Sequence, residues 1–178
     1  MNKLFTLSVF LLLFTIGCTQ NIETETVESK FEHDELVATV MPVGDNMVSG
    51  SVTFTEAENG VTVRGSFEGL EAGGHGFHIH QYGDCRADDG TSAGGHFNPA
   101  DNDHGAPSDM NRHMGDLGNI EADENGIARL NYVDETVRLE QILGRGIIIH
   151  AGEDDLSSQP SGAAGSRIAC GVIGIAGE

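Results

Sequence analysis

Apolar and polar residues alternate over positions 35–41, 48–56 and 61–68. Side chains on a strand point alternately to its two faces, so this pattern predicts three half-buried strands. Asn59-Gly60 between the second and third predicts a hairpin turn. Further strands are expected at 76–81, 118–122, 127–134, 146–150 and 167–176, with Asn125-Gly126 as another turn. Two stretches carry no sustained period. Residues 82–117 are rich in Gly, Asp, Asn and Pro, and 153–166 are polar. The expected fold is all-β: an eight-stranded Greek-key β-barrel or sandwich with two long functional loops. A loop as long as 82–117 inside a compact domain needs a reason, and metal ligation supplies one by replacing the missing apolar core.

The hydropathy pattern at the start of the chain is different. Lys3 precedes an apolar run over 4–16, broken only by Thr6, Ser8 and Thr15 and followed by Gly17 and Cys18. A spanning helix needs about 20 apolar residues, so the run reads as a signal peptide, residues 1–17. Thr15-Ile16-Gly17-Cys18 resembles a bacterial lipobox with Thr where Leu is usual, which would make Cys18 a lipid-bearing first residue. The alternative is an ordinary signal peptide that leaves Cys18 as an incidental thiol. Residues 18–34 then form a flexible acidic tether containing Glu23, Glu25, Glu28, Glu32 and Asp34. One domain, 35–178, remains.

Composition agrees with this reading. There are 25 glycines and no tryptophan, which favours many turns over a helical bundle. Nine basic against 28 acidic side chains give a net charge of −19, a surface that repels nucleic acid and anionic headgroups. The three cysteines, Cys18, Cys85 and Cys170, ask for one pair and one residue with another fate.

The candidate chemistry lies in the histidines. His78 and His80 are two apart, so on a strand they share a face. His96, His104, His113 and Asp116 follow at spacings of 8, 9 and 3. Three imidazoles and a carboxylate suit zinc. Imidazoles also suit copper, and His78, His80 and His150 are one short of a four-nitrogen set. If His96 is shared as an imidazolate, both counts are complete.

Five segments carry a family resemblance: Gly76-Phe77-His78-Ile79-His80, Gly83-Asp84-Cys85, Thr91 to Pro99 (TSAGGHFNP), Gly115-Asp116-Leu117-Gly118-Asn119, and Gly165 to Gly174 (GSRIACGVIG). They resemble the copper/zinc superoxide dismutases, in the bacterial periplasmic or lipoprotein arrangement. The resemblance implies copper on His78, His80, His96 and His150, and zinc on His96, His104, His113 and Asp116. It also implies Asp154 hydrogen-bonded to ligands of both metals, Arg167 receiving the anion, catalytic work by His96 and Arg167, and a Cys85–Cys170 disulfide. The implied reaction disproportionates superoxide to dioxygen and hydrogen peroxide through alternating reduction and re-oxidation of copper bridged by His96 to structural zinc. A non-catalytic periplasmic copper/zinc-binding protein is the alternative, with the same ligands and no use for Arg167. The implied setting is the periplasm or outer envelope of a bacterium, with the membrane met only through lipid at Cys18. A homodimer is left open.

Overall fold

The computed structural model describes residues 31–177. The expected signal peptide, Cys18 and residues 18–30 of the expected tether lie outside the described residues.

Nine strands form one antiparallel sheet: β1 Glu35–Pro42, β2 Ser49–Ala57, β3 Gly60–Glu68, β4 Gly73–His80, β5 Asp116–Ala122, β6 Ala128–Asp134, β7 Gly146–His150, β8 Arg167–Val172 and β9 Gly174–Ile175. Their order is β2-β3-β6-β5-β4-β7-β8-β1-β9, and β1 also pairs with β2. That last pairing closes strands β1–β8 into an eight-stranded barrel, and closure leaves those strands without a free edge. The steps from β3 to β4 and from β6 to β7 cross to non-adjacent positions, as a Greek key requires.

Alternation in the sequence becomes alternation in burial. Leu36, Ala38 and Val40 of β1 point inward, as do Val52 and Phe54 of β2 and Val61, Val63 and Phe67 of β3. Each fully buried large apolar side chain contributes about 1.5–3 kcal/mol of transfer free energy. β4 and β7 are different, because the last six residues of β4 and all of β7 are buried. Phe77, Ile79, Ile147 and Ile149 join the barrel core. Their alternate neighbours His78, His80 and Ile148 face outward and are covered by the two long loops, 81–115 and 151–166. Ile148 packs there in a small second cluster with Val43, Ala93 and Cys170, against Cys85. The expected disulfide is formed: Cys85 and Cys170 are bonded with their Cα atoms 5.8 Å apart.

Four details depart from the sequence pattern. The first hairpin turns on Glu58 and Asn59, one place earlier than expected, since Ala57 pairs with Gly60. Gly60 is glycine for space, because a Cβ there would stand 2.1 Å from the Asp134 carbonyl oxygen. β4 begins three residues early, at Gly73, where β5 still offers ladder partners. The last strand breaks at Ile173, whose backbone turns to bond Gly144 and Arg145. A single helical turn, Leu139–Ile142, buries Leu139 and Ile142 between β6 and β7.

Candidate metal centre

β4 carries His78 and His80 on its outer face, and β7 ends in His150 on the same side of the sheet. The first long loop returns antiparallel to the end of β4, so that His96 bridges to His80 in the ladder. Backbone bonds from Ile79 to Gly115 and from Phe97 to Ile79 hold the loop there (both near 2.9 Å). Asp116, the first residue of β5, pairs with His78. The seven side chains are therefore placed by sheet register, and all seven are buried.

They fall into two groups that share one member. His78, His80, His96 and His150 bring one ligand atom each within 4.8 Å of one another, and so do His96, His104, His113 and Asp116. Both groups are those expected from the sequence. His78 Nδ1 and the Nε2 atoms of His80, His96 and His150 are buried without a hydrogen-bond partner. Four orphaned imidazole nitrogens around one point would each cost desolvation energy, and a metal ion satisfies all of them.

In the second group Asp116 Oδ1 lies 2.7 Å from His96 Nδ1, 3.0 Å from His104 Nδ1 and 3.1 Å from His113 Nδ1. The His104 contact is short yet makes no aligned hydrogen bond, so His104 Nδ1 also counts as unpartnered. The two atoms are aimed at a shared point, and not at each other, as ligands of one ion are. His96 faces both groups, Nδ1 toward Asp116 and Nε2 toward the other three imidazoles.

The remaining ring nitrogens set orientation and tautomer. His80 Nδ1 donates to the Gly94 carbonyl (2.9 Å) and His150 Nδ1 to the Gly165 carbonyl (3.1 Å). Asp154 joins the groups, with Oδ2 2.7 Å from His78 Nε2 and Oδ1 2.9 Å from His104 Nε2. Asn119 of β5 fixes Asp154 in turn: its amide donates to the Asp154 carbonyl (2.9 Å) and accepts from the Asp154 N–H (2.8 Å). Gly162, at φ +67°, lies against this contact, and a Cβ there would stand 1.7 Å from Asp154 Oδ1. His75 packs beneath, with its ring nitrogens 2.8 and 2.9 Å from the His150 and Glu71 carbonyls, a structural role.

Burial and neighbouring imidazoles hold His80 well below its usual range. Burial likewise lowers His96 to about 4 and His150 to about 3. These rings are neutral at pH 7 and offer lone pairs. At His104 burial acts the same way, but the Asp116 and Asp154 carboxylates beside the ring outweigh it and raise it to about 9. Burial alone would raise Asp116 and Asp154; their histidine partners instead hold both carboxyls well below the usual range.

A cleft of about 350 Å³ opens on His80, His96, His150 and Arg167, with Pro160 and Ser161 on its wall. The Arg167 guanidinium donates to the Gly90 and Gly94 carbonyls, at 2.5 and 2.6 Å. It is thus fixed to the loop that the disulfide anchors. No lysine or other arginine lies between 151 and 166.

A closed eight-stranded barrel with two imidazole-rich ion sites sharing one histidine defines a two-site metalloprotein. The family model for copper/zinc superoxide dismutase (SODC) matches residues 48–173. The extracellular superoxide dismutase [Cu-Zn] of Drosophila melanogaster is 47% identical over 142 residues, covering 74% of this chain and 78% of that protein. The crystal structure of the clock protein EA4 superposes with a TM-score of 0.74 at 41% identity, over 81% of this chain and 96% of its own. The chain belongs to the copper/zinc superoxide dismutase family. Its activity is superoxide dismutation, with copper and zinc as cofactors.

Sequence reasoning missed the supports. Arg112 and Asp134, both buried, form an ion pair at 2.5 Å that ties the residue before His113 to the end of β6. Asp134 also accepts from the Thr136 and Val137 N–H groups (2.9 and 3.0 Å). Nothing in the local sequence pairs residues 22 positions apart. Gln159 and Gly162 sit in a polar loop without period and carried no signal.

Proposed function

We propose that this protein disproportionates superoxide at a copper site made by His78, His80, His96 and His150, joined through His96 to a zinc site made by His96, His104, His113 and Asp116. One observation carries the assignment: His96 presents a ring nitrogen to each group, and the other three imidazoles of the first group leave a nitrogen unpartnered beside it. Copper supplies one-electron exchange with superoxide, and zinc supplies a fixed charge. Arg167 positions the anion in the cleft through a guanidinium that is charged at every working pH. His96 holds and releases a proton at Nε2, while Asp116 beside Nδ1 keeps the ring oriented. Asp154 locks the tautomers of His78 and His104 together. Over a cycle two superoxide anions and two protons give dioxygen and hydrogen peroxide, so the proton carried by His96 is half of what the peroxide needs.

The test is metal analysis with superoxide turnover, with and without chelator. His80→Ala should lose copper and activity and keep zinc. Asp116→Ala should weaken zinc first. Unchanged zinc stoichiometry in Asp116→Ala would refute the assignment, and no turnover by the fully loaded protein would restore the metal-binding alternative.

The exported bacterial form is part of the same proposal. Residues 1–17 act as a signal peptide, Cys18 carries lipid, and 18–34 tether domain 35–178 to the envelope. The short apolar run ending in Gly17-Cys18, the disulfide and the extracellular Drosophila relative support export. Cys18→Ser protein that still partitions with membranes would overturn the anchor. A homodimer is supported by exposed Tyr82, Leu143 and Val172, gathered where Gly83 approaches Gly144 and Val172. Sedimentation of Val172→Glu against wild type checks it.

A further inference from the structure

The second long loop holds His104 by more than its ring. Gln159 grips the His104 backbone from both sides: His104 N–H donates to Gln159 Oε1 (2.9 Å), and Gln159 Nε2 donates to the His104 carbonyl (2.9 Å). Two such bonds from one planar amide reproduce a rung of β-ladder between loops 55 residues apart in sequence. Gln159 Nε2 also reaches the Ser157 carbonyl at 3.3 Å, which keeps the amide facing the same way. Asp154, in the same loop, takes His104 Nε2. The next residues in sequence, Pro160 and Ser161, form a wall of the copper cleft.

We propose that Gln159 is a positioning residue that couples occupancy of the zinc site to the shape of the copper cleft. The inference rests on His104 being a zinc ligand. A ligand drawn toward an ion at Nδ1 carries its own backbone with it, and the amide clamp passes that constraint to Gln159 and so to the adjoining wall. The clamp works in reverse as well: with Gln159 in place, the His104 backbone is already set for the ion, so less ordering remains to be done on binding. The Asp154 carboxylate touches only the ring tip, and Asp116 Oδ2 holds the neighbouring Gly105 N–H at 3.2 Å, so Gln159 is the side chain that takes the His104 N–H and carbonyl themselves. A firm wall also excludes water from an anion beside Arg167, and that attraction weakens in a wetter cleft.

The experiment compares full-length wild type, Gln159→Ala and Gln159→Met, all disulfide-bonded. Methionine keeps the volume and loses both hydrogen bonds, so it decides the matter if the alanine variant folds poorly. Zinc affinity of the metal-free proteins is measured by competition with a chromophoric chelator. Azide affinity is measured from the copper(II) visible spectrum at saturating zinc. Both variants should bind zinc roughly 10-fold more weakly, as loss of an outer hydrogen-bonding partner does. Both should also bind azide more weakly although zinc is saturated. A methionine variant matching wild type in either measurement would overturn the coupling. His104→Ala runs alongside: if it keeps its zinc, the ligand assignment itself has failed, whereas loss of zinc there with unchanged Gln159 variants removes only the clamp.

Discussion

Reducing the Cys85–Cys170 bond should cost the metal-free protein several kcal/mol. The bond closes a loop of 85 residues, from the first long loop to β8. Chain entropy for that length gives about 4.6 kcal/mol at 25 °C. Reduction is a cleaner perturbation than substitution. The thiols remain in the same apolar pocket beside Val43, Ala93 and Ile148, so no side-chain atom is removed and no buried hydroxyl is introduced. Metal-free protein is needed, because bound ions would hold the same loop and mask the loss. The assay is denaturant unfolding of oxidised and reduced forms, followed by two spectroscopic probes so that two-state behaviour is checked. A fall of about 4–5 kcal/mol is expected, with the reduced form exposing more surface on unfolding. A difference below about 1 kcal/mol would refute the reasoning, since the loop would then be restrained already in the reduced unfolded chain. In the metal-loaded protein, reduction should reach the cleft too. Gly90 and Gly94, the acceptors of Arg167, lie in the loop the bond anchors.

Arg167→Ile should lower the superoxide rate constant roughly 10-fold at low salt and weaken azide binding, with copper content unchanged, because the chain's net charge of −19 leaves little other attraction; pulse-generated superoxide decay measures it, and equal low-salt rates would remove Arg167 from docking. Zinc binding to the metal-free protein should release a proton from His104, which is raised to about 9. Affinity should therefore fall about tenfold per pH unit below that value, in chelator competition from pH 6.5 to 9.5. In the metal-free fold the same raised ring stabilises below pH 6.5, and that contribution is lost as pH rises through about 9. Copper uptake should show no such slope over this range from His150, which is already neutral there. Arg112→Met should destabilise by about 3–5 kcal/mol in thermal or urea unfolding, because Asp134 would be left charged and buried without its partner.

The strands were legible because burial on one face writes period two into the chain. β1, β2, β3 and β6 lie within a residue of their expected bounds. The two clusters of candidate ligands were legible for a related reason: few residue types bind copper or zinc, and the spacing over His78, His80, His96, His104, His113 and Asp116 is distinctive. The tertiary structure decided what depends on partners distant in sequence. Sheet register brings His150 beside His78 and His80, and the β1–β2 pairing turns a sheet into a barrel. Backbone carbonyls at Gly94 and Gly165 choose the histidine tautomers, and a carbonyl carries no side-chain signature. Gln159, Asn119 and the Arg112–Asp134 pair act through contacts 22 to 55 residues apart along the chain. Polar residues in aperiodic loops leave no pattern of their own, so only the fold shows which of them hold the clustered histidines and Asp154 and which simply face water.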